Sequence, residues 1–261
     1  MVAHAAETSS WAVSPSDMST SIFFRQSAVL AAVAIGALLP SSPQRANAQA
    51  VAPPVVEHSD RAASTFDVMN QGVTPLTVVI EPFAFWVDTL GEVHYAPFDS
   101  AGVSLKLSAT SLRLPPRATY TVAYEASARR LPAWFVVTSS FAGPRTVGMN
   151  VRLQLPHVVY LNQKESLARE DIVVRAFVYD SVRRKVRFKI ENLSERLGRC
   201  RDGSVRGTGS DMQSVPSFPL FPHFVRWVEL AWPAAGPPER LELKFEKFTL
   251  HLTRQQVVAK G

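Results

Sequence analysis

From Phe66 onward the chain alternates apolar and polar residues with a period of two, the mark of strands that bury one face rather than of helices. Phe66 and Val68 flank Asp67, a turn follows at Asn70-Gln71-Gly72, and Leu76, Val78 and Ile80 resume an inward set. A third strand is expected over Phe83 to Val87, closed by a turn from Asp88 to Glu92. Val103, Leu105 and Leu107, then Leu112 and Leu114, then Tyr120, Val122 and Tyr124 supply further faces. Leu131 to Phe141 reads as a continuous apolar strand, and Met149 to Leu161 as a long one interrupted at Pro156. About seven short strands at hairpin spacing predict a β-sandwich.

The polar stretch Asn162 to Ser166 then separates this cycle from a second one. Val174 to Tyr179 predicts a strand; Val186, Phe188 and Ile190 face one way, and Arg187, Lys189 and Glu191 the other. Asn192 to Asp202 carries turn chemistry, and Gly203 to Ser214 reads as a loop with little to bury. Strand-like sequence returns from Phe218 to Trp232, broken by Pro219 and Pro222. After Leu241, Leu243 and Phe245 the phase moves to Phe248, Leu250 and Leu252, which predicts a β-bulge. The expected architecture is all-β, with two sandwich domains.

Ahead of both lies a different kind of sequence. Ala28 to Leu39 is an apolar run of 12 residues, too short to span a bilayer and flanked by Arg25 and Pro40. It reads as the core of a secretory signal, with cleavage expected after Ala48 and Met18 a more natural start than Met1. The expected division is therefore a leader at 1–48, a first domain at 49–163, a linker at 164–167 and a second domain at 168–261. No later apolar run approaches a membrane span, so no stable insertion of the mature chain is expected.

Composition narrows the chemistry. With 46% hydrophobic and 19% charged residues among 261, the chain can bury a core. The net charge of +6 permits attraction to acidic surfaces, and the single cysteine, Cys200, excludes an intrachain disulfide framework. No nucleophile elbow, HExxH pair or phosphate-binding glycine loop appears, so neither an enzyme nor a cofactor is expected. Asp88 and Glu92 read as turn acids, and the histidines at 58, 94, 157, 223 and 251 as surface or structural groups. The basic run Arg183-Arg184-Lys185, with Arg187 and Lys189, reads as a hairpin turn and a solvated strand face. It lacks an aromatic platform of its own, because Phe188 alternates inward; no nucleic-acid partner is expected.

Phe66 to Pro82, Tyr95 to Phe98, Ser111 to Pro116, Leu131 to Val137, Met149 to Leu155, Lys185 to Glu195 and Leu241 to Leu250 together resemble the periplasmic chaperones of pilus (fimbrial) assembly. The resemblance implies two immunoglobulin-like domains set at an angle, a periplasmic location, pilin-like subunits and an outer-membrane usher as partners, and donor-strand complementation as the mode of action. In that mode Val147, Met149, Val151, Leu153 and Leu155, five apolar residues at a spacing of two, would be lent to a client's groove. The family anchors its client's carboxylate with an arginine and a lysine. Counting from Asn70 puts these positions near Pro54 and near His157 or Val158, where neither is basic. Arg61 or Arg152 would then serve as the carboxylate contact, or the chain is a divergent member with another client. An exported structural or adhesive protein of the same architecture is the first alternative, and a binding module that turns the basic face of the second domain to an anionic envelope component is the second.

Overall fold

Alternation in the sequence becomes strand in the structure almost everywhere. The computed structural model describes residues 49–144, 152–234 and 236–254. The expected leader and cleavage site lie outside these residues. The described part forms one compact unit with no closed barrel and no helix long and apolar enough to cross a membrane.

In the first half, β1 (Ala50–Ala52), β3 (Arg61–Met69), β8 (Thr119–Ala128) and β6 (Val103–Leu107) form one sheet, ordered β1-β3-β8-β6. The second sheet runs β2-β10-β9-β4-β5, from β2 (Val55–Ser59), β10 (Arg152–Asn162), β9 (Ala133–Ala142), β4 (Leu76–Val87) and β5 (Val93–Pro97). β7 (Ser111–Leu114) also pairs with β4. Phe66, Val78, Val122, Phe135 and Val159 fill the space between the sheets, which makes the layers a sandwich.

The start of the chain belongs to both sheets. β1 pairs antiparallel with β3, Pro53-Pro54 break the ladder because neither has an N–H, and β2 then pairs in parallel with β10. Asp60, with a positive φ of 54°, turns the chain back into β3.

Phe83 to Val87 is not a separate strand. It continues β4, which buries Leu76, Val78 and Ile80 in its first part and Phe85 and Val87 in its second. The buried parity changes around Pro82 because the strand leaves one core and enters another, and that change mimics a break in the sequence.

The second half holds β11 (Ile172–Asp180), β12 (Lys185–Asn192) and β17 (Val225–Ala231) in one sheet. The facing sheet is β15 (Met212–Val215), β14 (Asp202–Arg206), β18 (Arg240–Lys244) and β19 (Thr249–Thr253), beside the short pair β13 (Gly198–Cys200) and β16 (Phe218–Leu220). Phe188, Cys200, Trp232, Leu241 and Leu243 lie in its core. Two expectations are corrected here. Gly203 to Ser214 contains most of the β14–β15 hairpin, and it looked like a loop because its inward residues are small. A Cβ on Gly203 would stand 2.5 Å from the Glu242 carbonyl oxygen, so only glycine allows that approach to β18. The phase shift after Phe245 is a hairpin turn, closed by Phe245 N–H donating to Phe248 O at 2.9 Å, and not a bulge.

Among the described residues no sheet contains strands from both halves. They meet through a third cluster, in which Phe85, Val87, Val136 and Tyr160 pack with Leu197 and Phe221. The Phe221 ring lies 4.7 Å from that of Trp134 and 6.2 Å from that of Phe85. The connection is pinned as well: Gln163 accepts from Leu197 N–H and donates to Leu197 O, and Leu167 is buried in the second core.

Candidate functional site

β10 is paired along one edge only in part. Arg152 to Leu161 pair with β9, but β2 covers the other edge only from Val158 to Asn162. Val158 N–H donates to Pro54 O at 2.8 Å, and Asn162 O accepts from Asp60 N–H at 3.1 Å. Even-numbered residues of β10 therefore direct their backbone groups to this edge, while odd-numbered ones bond β9. Over Arg152 to His157 no described strand takes those groups up, which leaves the N–H and C=O of Arg152 and Gln154 and the C=O of Pro156 open. Pro156 has no N–H to leave open. That is why a proline can stand inside this strand, opposite Thr138, without ending it.

Side chains follow the same parity. His157, Val159 and Leu161 are fully buried, whereas Leu153 and Leu155, on the same face, are half-buried against the end of the first core. The inward face of β10 thus outruns the core that covers it. Val147, Met149 and Val151 share its odd numbering and lie outside the described residues.

The two positions singled out for a client anchor do meet in space, but no cation stands there. Beside the Val158–Pro54 hydrogen bond, His157 Nδ1 donates to Pro53 O at 2.6 Å, and its ring stacks on Phe66 at 4.5 Å and meets Tyr124 edge-on at 5.4 Å. His58 Nε2 lies 3.0 Å from the Tyr124 hydroxyl. Burial pushes the pKa of His157, and of His58, below the ordinary histidine value, so both rings favour the neutral form. Arg61 and Arg152 lie far from this place and from each other. Arg61 follows Asp60 at the Asn162 end of β10, and Arg152 begins that strand, so at roughly 3.3 Å per residue about 30 Å separates them. Arg152 stands 3.9 Å from Glu81. No single carboxylate can reach both arginines.

Other candidate groups resolve simply. Asp88 accepts from Leu90 and Glu92 N–H in the β4–β5 turn and faces His94 Nε2 at 3.1 Å. Among the described residues, Asp88, Glu92 and His94 bring one ligand atom each to within 4.8 Å of one another, but the turn and the ion pair already account for their arrangement. Cys200 is fully buried, with its thiol pushed up to about 12 by desolvation. A polar cleft of about 350 Å³ lies between the halves, and the charges on its walls are paired, Glu57 with Arg199 and Glu246 with Arg201.

No family model matches the chain, and no curated protein matches it. Among solved structures, the YadV chaperone aligns with a TM-score of 0.49 at 11% identity, covering 78% of this chain and 100% of that one. The complex of Salmonella enterica SafA pilin with the SafB chaperone gives 0.46 at 13% identity, over 78% of this chain and 95% of the other. The E. coli chaperone DraB gives 0.45 at 11% identity, over 78% and 98%.

Proposed function

We propose that this chain is a periplasmic chaperone that caps pilin-like subunits by lending them the N-terminal part of β10 and the segment before it. The observation that carries the reading is the open edge from Arg152 to His157, beside a face whose burial decreases from His157 to Leu155 and Leu153. An unpaired strand edge beside partly covered leucines suits pairing with another chain, because ladder hydrogen bonds supply affinity and alternate side chains fill a groove. In this reading Val147, Met149 and Val151 continue the inserted face, no bond is made or broken, and an outer-membrane usher receives the client. The absence of arginine and lysine beside Pro54 and His157 makes it a divergent member, whose client is held by strand pairing and groove filling.

The test uses the edge itself. Gln154→Pro removes an outward N–H without touching the β9 ladder, as Pro156 already does, while Gln154→Ala keeps the N–H and loses only the side-chain hydrogen bond to Ser140 Oγ. Co-purification from an envelope extract should recover a small β protein with wild type and Gln154→Ala and lose it, at least tenfold, with Gln154→Pro. Equal capture by a folded Gln154→Pro variant would refute the edge as the binding element. Such capture would leave the alternative, an exported structural or adhesive protein whose Leu153 and Leu155 serve only its own core.

A further inference from the structure

The outer face of the β11-β12-β17 sheet supplies what the sequence of β12 alone lacks. Lys189 stands opposite Trp227 across the β12–β17 ladder. The Arg187 guanidinium lies 5.3 Å from the Trp227 ring centroid and Lys189 Nζ 6.0 Å from it. Among the described residues neither cation has a carboxylate within ion-pair distance, in contrast to their neighbours, where Lys185 pairs with Glu229 and Arg175 with Glu191. At the hairpin tip Arg184 likewise has no carboxylate partner among the described residues, and Arg183 reaches Asp180 only at 4.0 Å. Between the strands at this tip, Val182 is 92% exposed, and Val178, which pairs with Arg187 on β11, is 42% exposed.

We infer that this face docks on an anionic phospholipid surface. Six basic side chains, Arg175, Arg183, Arg184, Lys185, Arg187 and Lys189, stand there against three carboxylates, Asp180, Glu191 and Glu229. The excess is positive and lies on one side of a sheet whose other side is the core. Charge alone would suit any polyanion. The apolar residues decide between them: an exposed valine at the tip of a basic hairpin can enter the headgroup layer, and an indole beside cations suits an interface that is wet on one side and apolar on the other. A nucleic acid would need the indole face for stacking, and Arg187 and Lys189 already lie over that ring. The inference stands apart from the client-binding reading, because this sheet and the free edge of β10 belong to different halves.

The experiment is co-sedimentation of the mature chain with vesicles of phosphatidylglycerol and phosphatidylcholine, against vesicles of phosphatidylcholine alone, at physiological salt. Wild type should partition to the anionic vesicles only. Arg187→Ser with Lys189→Ser should weaken that binding about 25-fold, roughly fivefold for each charge, and Val182→Asp should weaken it with the cations in place. Lys106→Ser with Arg113→Ser removes the same charge from the first half and should change binding little. Absence of binding by the wild type, or an equal loss in both double variants, would overturn the inference. So would tighter binding of a single-stranded oligonucleotide that the Arg187 and Lys189 variant loses. All substituted side chains are surface groups, and thermal unfolding of each variant checks that the fold is retained.

Discussion

His157 on β10 and Pro53 at the crossing between sheets are joined by a hydrogen bond of 2.6 Å, from the imidazole Nδ1 to the proline carbonyl. The bond holds the chain at the point where it passes from β1 to β2. It requires Nδ1 to carry the proton, and Nε2 is buried without a partner among the described residues, so the neutral ring fits and a second proton finds no acceptor there.

Stability should therefore fall on mild acidification. The folded-state pKa of His157 is lowered by burial, so the unfolded chain takes up a proton first as pH drops below the ordinary histidine value of 6.5. Stability is complete above that pH and is lost progressively from there down to the lowered folded value. His58 shifts in the same direction. Thermal unfolding between pH 8 and pH 5 should show a flat Tm followed by a decline, and His157→Gln should make the decline shallower. An unchanged slope in that variant would remove His157 from the account.

Asn70 and Asn192 perform one task in the two halves. The Asn70 carboxamide donates to the carbonyls of Thr74, Leu114 and Pro115 and accepts from Gly72 N–H. That of Asn192 donates to Arg196, Leu220 and Phe221 carbonyls and accepts from Ser194. Replacing Asn192 with alanine should cost about 2–3 kcal/mol through orphaned buried groups, measured by chemical denaturation. Asn192→Asp should cost more, since a carboxylate oxygen would then face three carbonyls.

Phe221 touches the rings of Phe85, Trp134, Tyr160 and Phe224 where the halves meet. Phe221→Ala should cost about 3–5 kcal/mol, as large-to-small changes in cores do. Its effect should be visible in calorimetry as separation of a single transition into two, because each half keeps its own core.

Cys200 should resist alkylation at pH 8 in the folded protein. With the thiol pushed up to about 12 and fully buried, almost no accessible thiolate exists. Labelling should begin only under conditions that unfold the second half, and rapid labelling of native protein would contradict the placement.

Strand faces such as Phe66-Val68 and Val186-Phe188-Ile190 were legible in the sequence because each alternates against polar neighbours and all are buried. His157 had the right parity, midway between Leu155 and Val159, but a polar residue type concealed a core position. Gly203 was missed for the opposite reason, since a residue with no side chain leaves no pattern. Phe221 sits between Leu220 and Pro222, with no periodic context, and Trp227 meets Lys189 through a pairing of strands far apart in sequence. Alternation within one strand does not reveal which strand will lie beside it. Of the candidate site, the face of Leu153 and Leu155 could be read beforehand, while the open edge depends on where β2 begins.

That beginning acts as a stop. From Val55 onward β2 occupies the edge of β10, and Pro54 marks the last place a guest backbone could reach before colliding with the host's own chain. The described residues Arg152 to His157 of β10 run along the open edge that ends at this point. Two N–H donors among these residues, followed by a proline that offers none, make the edge uneven. A visiting strand would be held in one register, with its end stopped against the two prolines where the host's first strand changes sheets.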